Sequence, residues 1–223
     1  MSIIHVDHVS YTYKSKYCVV QALDNISLEF DQGKFYALIG KSGSGKSTLL
    51  SLLAGLDLAK EGNITFFNKS IDNNNKEEHR REIVSVIYQQ YNLFPLLTSI
   101  ENVTYILELN GMKSKEAKVK AEELLNKVNI KNHCYRHYPH MLSGGEQQRV
   151  AIARGLASNA KILLADEPTG NLDSKTSKDI INLFKQLVRE EGYTIIMVTH
   201  DIDIIKEVDE VYEILDGKLL NNI

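Results

Sequence analysis

Four short apolar runs organise the chain, and they lie at residues 35–39, 84–88, 162–165 and 194–199. Their length and their content of β-branched residues predict buried strands. The helical patterns between them are typical of a parallel sheet in an α/β fold. A glycine-rich loop follows the first run, and an apolar helix is predicted after it at 47–54.

A second pattern, between the second and third runs, predicts helices. Its apolar residues recur on one helix face: Ala117, Ala121, Leu124, Leu125 and Val128. On the same predicted helix Glu123 precedes Lys127 by one helical turn, which predicts a favourable ion pair. The sequence therefore predicts a helical block placed between two strands of the sheet.

Each predicted strand ends in a distinctive polar group. These groups are the loop that starts at Gly40, the amide Gln89, the pair Asp166 and Glu167, and His200. In open α/β sheets, ligands bind at the carboxyl ends of the strands. The pattern thus directs residues suited to phosphate, metal and water chemistry to one edge of the sheet.

Composition narrows the class of protein without identifying it. Of 223 residues, 43% are hydrophobic and 25% are charged, and the net charge of −3 gives no basic excess for nucleic acid. No apolar run is long enough to span a membrane, and the N-terminal residues lack a signal-peptide pattern. Two cysteines, Cys18 and Cys134, are too few for a disulfide framework. We expect a soluble, cytoplasmic chain, for which any membrane role would have to come through a partner.

The glycine-rich loop is the strongest local signal. Its eight residues match the pattern G-x-x-x-x-G-K-[ST] between a strand and a helix, and they are Gly40, Lys41, Ser42, Gly43, Ser44, Gly45, Lys46 and Ser47. Backbone amides in such a loop surround a phosphate, and the following helix adds its positive end. Lys46 brings a charge to the β and γ oxygens, Ser47 brings a hydroxyl for Mg²⁺, and the adjacent Thr48 is a further predicted nucleotide contact. A flexible glycine turn is the alternative, which the strand–helix context disfavours.

The third strand runs directly into two carboxylates. A buried strand does not need acids, and ionised side chains in an apolar interior are costly unless they are paired. Asp166 is predicted to hold Mg²⁺. Glu167 is predicted to orient or deprotonate the water that attacks the γ-phosphate. A solvated turn formed by the Asp-Glu-Pro sequence is the alternative interpretation.

Three further segments identify a family. The stretch 142–149 reads Leu-Ser-Gly-Gly-Glu-Gln-Gln-Arg, 166–170 reads Asp-Glu-Pro-Thr-Gly, and 198–201 reads Val-Thr-His-Asp. Together with the phosphate loop they resemble the nucleotide-binding subunit of ABC transporters over almost the whole chain. The resemblance implies an α/β fold: a phosphate-loop (RecA-like) parallel-sheet core, an N-terminal antiparallel β portion and an inserted α-helical subdomain. It implies one ABC ATPase domain over 1–223, with the core at about 1–89 and 160–223 and the helical subdomain at about 90–159.

The resemblance also implies the ligands and a partner copy. Ser143, Gly144 and Gly145 would contact the γ-phosphate of an ATP held by a second copy, so the working unit would be a head-to-tail dimer around two ATP molecules and Mg²⁺. Glu146 stands where the family more often has glutamine. A capping box with Ser143 is the simpler interpretation of Glu146, and a direct contact with the nucleotide stays open.

Further roles follow from the same resemblance. Gln89 would touch Mg²⁺ and the attacking water, and His200 would sense the γ-phosphate and support hydrolysis. Asp173 would lie in the loop that crosses the dimer interface. Tyr13 resembles the aromatic residue that stacks on adenine, although Tyr11 would share its face of a strand.

Within the family, residues 88–93 and 164–173 look most like the branch of lipoprotein-release, macrolide- and peptide-efflux and cell-division ATPases. That likeness implies a peripheral position at the inner face of the cell membrane, on a membrane-spanning permease, and it favours export of hydrophobic, peptide or envelope substrates. The apolar residues of 91–97 are either core or a groove for that permease. The alternative function is an ABC ATPase that drives a soluble assembly or regulates cell-wall enzymes through a membrane anchor.

Two weaker patterns are set aside. His133, Cys134, His137 and His140 suggest a metal site, but Pro139 interrupts a shared helix face, and a polar loop explains them better. The pair Arg80 and Arg81 is interpreted as a solvated helix face and not as a nucleic-acid site.

Overall fold

The computed structural model describes residues 1–222. Within them the chain forms ten strands: β1 (Ser2–Lys14), β2 (Val19–Asp31), β3 (Phe35–Ile39), β4 (Glu61–Phe66), β5 (Lys69–Ser70), β6 (Val84–Ile87), β7 (Ile162–Asp166), β8 (Thr194–Val198), β9 (Glu210–Leu215) and β10 (Lys218–Asn222). The four strands that the sequence predicts are present, and their ends agree to within a residue.

The same residues form six α-helices: α1 (Lys46–Leu53), α2 (Lys76–Glu78), α3 (Ser99–Leu109), α4 (Ser114–Lys127), α5 (Gly144–Leu156) and α6 (Ser174–Glu191). Shorter helical turns of other types follow α2 at His79–Ile83, precede α5 at Asn132–Arg136 and Pro139–Met141, and follow β8 at Ile202–Glu207. Among residues 1–222, no helix combines the length and apolar character needed to cross a membrane.

The strands belong to two sheets. The larger has the order β10-β9-β3-β8-β7-β6, and all its pairs are parallel except β9 with β10. The smaller is antiparallel, with the order β2-β1-β4-β5. The predicted fold class is therefore confirmed, including the N-terminal antiparallel portion and helices inserted between β6 and β7.

The larger sheet is buried on both faces at β3, β6, β7 and β8, because residues of these strands enter two different hydrophobic clusters. Phe35 and Leu163 pack in a cluster with α4, α5 and α6. Tyr36 and Leu164 face the other way, into a cluster with α1 and the antiparallel sheet. The larger sheet is thus held rigidly from both sides, so the loops at its carboxyl edge have a fixed base.

The inserted helices follow the predicted apolar pattern but not the predicted ion pair. The five apolar residues of the predicted face, from Ala117 to Val128, are all buried. Glu123 pairs instead with Lys120 at 2.9 Å, and Lys127 reaches Glu191 of α6 at 2.8 Å. The prediction was wrong because a tertiary partner was available to Lys127, which helical spacing alone does not reveal.

Candidate functional site

The phosphate loop connects β3 to α1, and its glycines are needed for steric reasons. Gly40 and Gly45 have φ angles of 147° and 107°, which other residues rarely adopt. A methyl group at Gly45 would overlap the backbone carbonyl of Ala22, and one at Gly40 would overlap that of Ile214. The loop is therefore packed tightly against β2 and β9, and its path is fixed by the fold.

Lys46 points back into this loop from the first turn of α1. Its ammonium group donates to the carbonyl oxygens of Gly40 and Lys41, both at 2.8 Å. Burial lowers the pKa of Lys46, while the nearby charges of Glu167 and Asp166 oppose that shift. The positive charge is thus held at the centre of the loop, between the loop carbonyls and the acidic end of β7.

A pair of oxygen ligands lies beside the loop. The Ser47 hydroxyl is 3.4 Å from Oδ1 of Asp166 at the end of β7. Burial raises the pKa of Asp166, and the Ser47 hydrogen bond opposes it. A hydroxyl and a partly desolvated carboxylate at this distance form a donor set that suits Mg²⁺, which prefers oxygen ligands.

Glu167 adopts a backbone conformation that the sequence did not reveal. Its φ is 45°, in the left-handed region that costs energy for a residue with a side chain. Two backbone hydrogen bonds impose it: the Glu167 amide donates to Val198 at 3.0 Å, and the Gly170 amide donates to Glu167 at 3.1 Å. The Glu167 carboxylate therefore turns towards His200, whose Nδ1 lies 3.2 Å from Oε1.

Gln89 reaches the same place from the end of β6. A methyl group on Gly170 would lie 2.8 Å from Nε2 of Gln89 and 3.5 Å from a carboxylate oxygen of Glu167. Both side chains therefore border Gly170. Gln89 is half-buried, whereas its neighbour Gln90 is exposed. The structure thus brings together the polar groups at the ends of all four predicted strands.

The two tyrosines of β1 have different surroundings. Tyr11 is buried and its hydroxyl donates to Asp57, a bond that raises the pKa of Tyr11 to about 12. Tyr13 is 48% exposed, and its hydroxyl lies 3.4 Å from that of Thr48 in α1. The rings contact each other edge to face with centroids 4.9 Å apart. Of these two tyrosines, Tyr13 is the one whose ring is exposed, and it lies beside Thr48 at the start of α1.

The tip of α5 forms the capping box that the sequence suggested. The Ser143 amide and hydroxyl donate to Oε2 of Glu146 at 2.9 and 2.8 Å. Both bonds lower the pKa of Glu146, and the bond from the Ser143 amide has the larger effect. Within residues 1–222, no side-chain hydrogen bond joins Ser143 or Glu146 to the phosphate loop of the same chain.

The segment before α5 differs from the expected polar loop. Cys134 and Tyr135 are buried, and the Cys134 thiol lies 3.5 Å from Oε1 of Glu146. Burial is the main reason that the pKa of Cys134 is raised, and the bond to Glu146 adds to it. The sequence did not predict the contact between Cys134 and Glu146, because a single cysteine among histidines is typical of a polar loop.

The glycines of the α5 tip are close to the segment after Gln89 and to the first turn of α6. A methyl group on Gly144 would lie 2.8 Å from the Tyr91 hydroxyl, and one on Gly145 would lie 2.6 Å from the Thr176 methyl. Asp173 caps α6 by accepting from the amides of Lys175 and Thr176, both at 3.0 Å. The α5 tip, the segment after Gln89 and the start of α6 therefore form one contiguous surface.

The apolar segment 91–97 is partly packed in the core and partly exposed. Leu93 packs against the hydrophobic core, while Phe94 and Leu96 are exposed. Asn102 of α3 is fully buried and holds the segment by donating to the carbonyls of Phe94 and Leu97. The segment that follows Gln89 therefore exposes apolar side chains on a backbone that Asn102 holds in place.

The arginine pair is not simply solvated. Arg81 is exposed, as expected, but the Arg80 guanidinium donates to the carbonyl of Gly55 at 2.7 Å. It thereby binds the C-terminal end of α1, where a positive charge is favourable. Sequence spacing did not predict this contact because the two residues are far apart in the chain.

Comparison with known proteins gives a consistent result. A family model described as ABC transporter matches residues 23–170. The uncharacterized ABC transporter ATP-binding protein YclH of Bacillus subtilis is 43% identical over 209 residues, which cover 94% of this chain and 92% of that protein. The lipoprotein-releasing system ATP-binding protein LolD 2 of Rhodopirellula baltica is 42% identical, over 90% of this chain and 82% of its own.

A solved structure extends the comparison to three dimensions. It is the dimeric post-hydrolysis state of the ATP-binding cassette MJ0796 of Methanocaldococcus jannaschii, bound to ADP and phosphate. It superposes with a TM-score of 0.92 at 38% identity and covers 99% of this chain and 98% of that one.

Proposed function

The chain belongs to the family of ABC transporter ATP-binding proteins, and from that premise we propose that it hydrolyses Mg²⁺-bound ATP at two sites shared between two copies and so drives a membrane-spanning partner. One observation carries the proposal. One edge of the larger sheet brings together the phosphate loop, the carboxylates of Asp166 and Glu167 at the end of β7, and the side chains of Gln89 and His200.

The phosphate loop supplies most of the nucleotide contacts in this proposal. Residues 40–48 present backbone amides and the start of α1 to the phosphates, and Lys46 adds a charge that is already held in place. Tyr13 stacks on the adenine, which its exposure beside Thr48 supports. Tyr11 is excluded from stacking by its burial.

Ser47, Asp166 and Gln89 would hold Mg²⁺. When bound, the ion neutralises charge that develops on the β and γ oxygens during phosphoryl transfer. Burial raises the pKa of Asp166 because it disfavours the ionised carboxylate, and a bound cation would favour that ionised form.

Glu167 and His200 act together on the attacking water and the γ-phosphate. The carboxylate of Glu167 orients the water and accepts its proton, and the 3.2 Å contact with His200 fixes the direction of that carboxylate. Gln89 borders Gly170, as the Glu167 carboxylate does. The left-handed backbone at Glu167 costs energy, and it directs this side chain away from β7.

The α5 tip completes the site of a second copy. Ser143, Gly144 and Gly145 begin a helix whose free amides suit an anion, and the capping box keeps Ser143 and Glu146 in place. Glu146 therefore acts through Ser143 and not through the nucleotide. Asp173 lies next to this surface, where the proposed dimer would form.

The membrane-spanning partner is proposed to dock on the apolar surface of Phe94 and Leu96, near Gln89. Closure of two copies around ATP and reopening after hydrolysis would move the helical lobe, at about 90–159, against the core. Docking on that partner would hold the chain at the inner face of the membrane. The likeness to LolD 2 favours a partner that exports hydrophobic, peptide or envelope substrates.

Turnover of two variants tests the ATPase proposal. Glu167→Gln should bind ATP with unchanged affinity and hydrolyse it about 100-fold more slowly or worse, because the group that activates water is lost. Lys46→Ala should lose nucleotide binding. Wild-type turnover by Glu167→Gln, or wild-type ATP retention by Lys46→Ala, would remove these residues from their roles.

Co-purification separates the transport function from the alternative. A transport subunit should fractionate from membranes with a protein of several spans, and Leu96→Asp should weaken that association without affecting ATP binding. An ATPase of a soluble assembly should be recovered with soluble proteins only, and that result would refute the permease.

A further inference from the structure

The loop that carries Gln89 is held by a half-buried arginine side chain. Arg154, in the last turn of α5, donates to the carbonyl of Asn92 at 2.5 Å and to that of Tyr91 at 3.2 Å. Its guanidinium also lies 5.6 Å from the ring centroid of Phe94. One side chain thus contacts three residues of the segment that follows Gln89.

The carbonyls that Arg154 binds belong to an unusual stretch of backbone. Tyr91 and Asn92 have φ angles of 57° and 47°, so two consecutive residues with side chains are left-handed. Such conformations persist only where surrounding contacts impose them. The two hydrogen bonds from Arg154 are such contacts, and they act directly after the residue that the proposed function requires.

The charge of Arg154 has no other evident use. Burial lowers the pKa of Arg154, because the guanidinium is partly removed from water. Arg149 on the same helix pairs with Asp179 at 3.4 Å, but within residues 1–222 no carboxylate lies within ion-pair distance of Arg154. A guanidinium that loses water needs other hydrogen-bond acceptors, and here two loop carbonyls accept from it.

A second side chain holds the other end of the loop. The Asn171 amide, in the turn between β7 and α6, donates to the carbonyl of Gln89 at 3.3 Å. The adjacent Gly170 leaves room for the Gln89 amide itself. Gln89 therefore lies between two anchors, one from the acidic end of β7 and one from the end of α5.

We propose that Arg154 and Asn171 are positioning residues that fix the loop carbonyls at 89, 91 and 92 and thereby aim Gln89 at the reacting end of ATP. The inference rests on the proposed role of Gln89. It also connects the docking surface to hydrolysis, because Phe94 belongs to that surface and contacts Arg154. A shift of Phe94 would be passed to Gln89 through the same carbonyls.

A double-mutant cycle on the full chain tests this. Arg154→Lys keeps the charge but loses the planar fork, and Asn171→Ala removes an exposed side chain. Each should lower kcat about tenfold or more, as expected for a misplaced reacting group, while KM for ATP changes little. Each should also raise the Mg²⁺ concentration for half-maximal turnover. In a Gln89→Ala background neither change should lower kcat further.

Arg80→Lys is the matched control, because the Arg80 guanidinium also donates to a backbone carbonyl, but to that of Gly55 after α1 and not to the loop carbonyls at 89, 91 and 92. It should leave kcat and the Mg²⁺ requirement unchanged. Thermal melting and binding of ATP separate misfolding from misplacement. Should Arg154→Lys fail to fold, Asn171→Ala decides the matter alone.

The outcomes distinguish the inference from the function beneath it. Wild-type turnover by Gln89→Ala would refute the role of Gln89 and the inference with it. Slow turnover by Gln89→Ala, combined with wild-type kcat in both positioning variants, would overturn the inference alone. So would losses that multiply in full in the Gln89→Ala background, since they would show that Arg154 and Asn171 act independently of Gln89.

Discussion

The left-handed backbone at Glu167 makes a quantitative prediction about stability. Glu167→Gly and Glu167→Ala both delete the carboxylate and its contact with His200, so these losses cancel when the two variants are compared. What remains is the backbone, which two hydrogen bonds hold at a φ of 45°. We expect the glycine variant to be the more stable of the two.

The size of the difference follows from two opposing terms. A left-handed residue with a side chain costs about 1–2 kcal/mol relative to glycine. Glycine in turn gains about 0.4–1 kcal/mol of conformational freedom in the unfolded chain, which offsets part of that. The net advantage of Glu167→Gly over Glu167→Ala is about 1 kcal/mol, which corresponds to about 2–4 °C in melting temperature for a domain of this size.

Thermal melting followed by circular dichroism measures the difference, and Asp216 provides the control. Asp216 is exposed and has a φ of 48° in the turn between β9 and β10. Its side chain has no proposed role in the chemistry, although the next residue, Gly217, donates its amide to the Ser44 carbonyl of the phosphate loop. Asp216→Gly should exceed Asp216→Ala by a similar margin while ATP hydrolysis continues. If Glu167→Ala melts at or above Glu167→Gly while the Asp216 pair behaves as expected, the strain assigned to Glu167 is wrong.

Three other predictions concern different parts of the chain. Burial lowers the pKa of His79, whose Nε2 contacts the Leu53 carbonyl, so the unfolded state binds a proton that the folded state does not. Stability should be complete above about pH 6.5 and decline below it; melting curves should show a shallower decline for His79→Gln, and an equal decline would contradict this. Tyr13→Ala should weaken ATP binding about fivefold through lost stacking, measured with a fluorescent ATP analogue, and unchanged affinity would argue against Tyr13. Gly45→Ala should abolish ATP binding because its methyl group meets the Ala22 carbonyl, a conclusion that wild-type affinity would refute.

The sequence was sufficient for the parts of the molecule that depend on local periodicity. The four strands of the core, the buried face of α4 and the phosphate loop were all predicted from spacing and from residue type. The convergence of Asp166, Glu167, Gln89 and His200 was also predictable, because parallel strands bring their carboxyl ends to one edge.

Other features depend on contacts between residues distant in the chain, and no spacing reveals them. The Arg154 bonds to Asn92 and Tyr91 join residues that are 62 and 63 positions apart in the chain. The partner of Lys127 is Glu191, on another helix. The conformation of Glu167 is imposed by Val198 and Gly170, and residue type alone would favour an ordinary extended backbone there.

Light scattering coupled to size exclusion, with magnesium and saturating ATP, tests whether one copy caps the nucleotide bound by the other. Glu167→Gln should elute as a dimer that carries two ATP molecules. Adding Ser143→Arg to that variant should leave ATP affinity intact, since the phosphate loop is untouched, but the protein should remain monomeric. A dimer that forms equally well with arginine at the α5 tip, or a Glu167→Gln chain that stays monomeric with ATP bound, would contradict a site built from two copies.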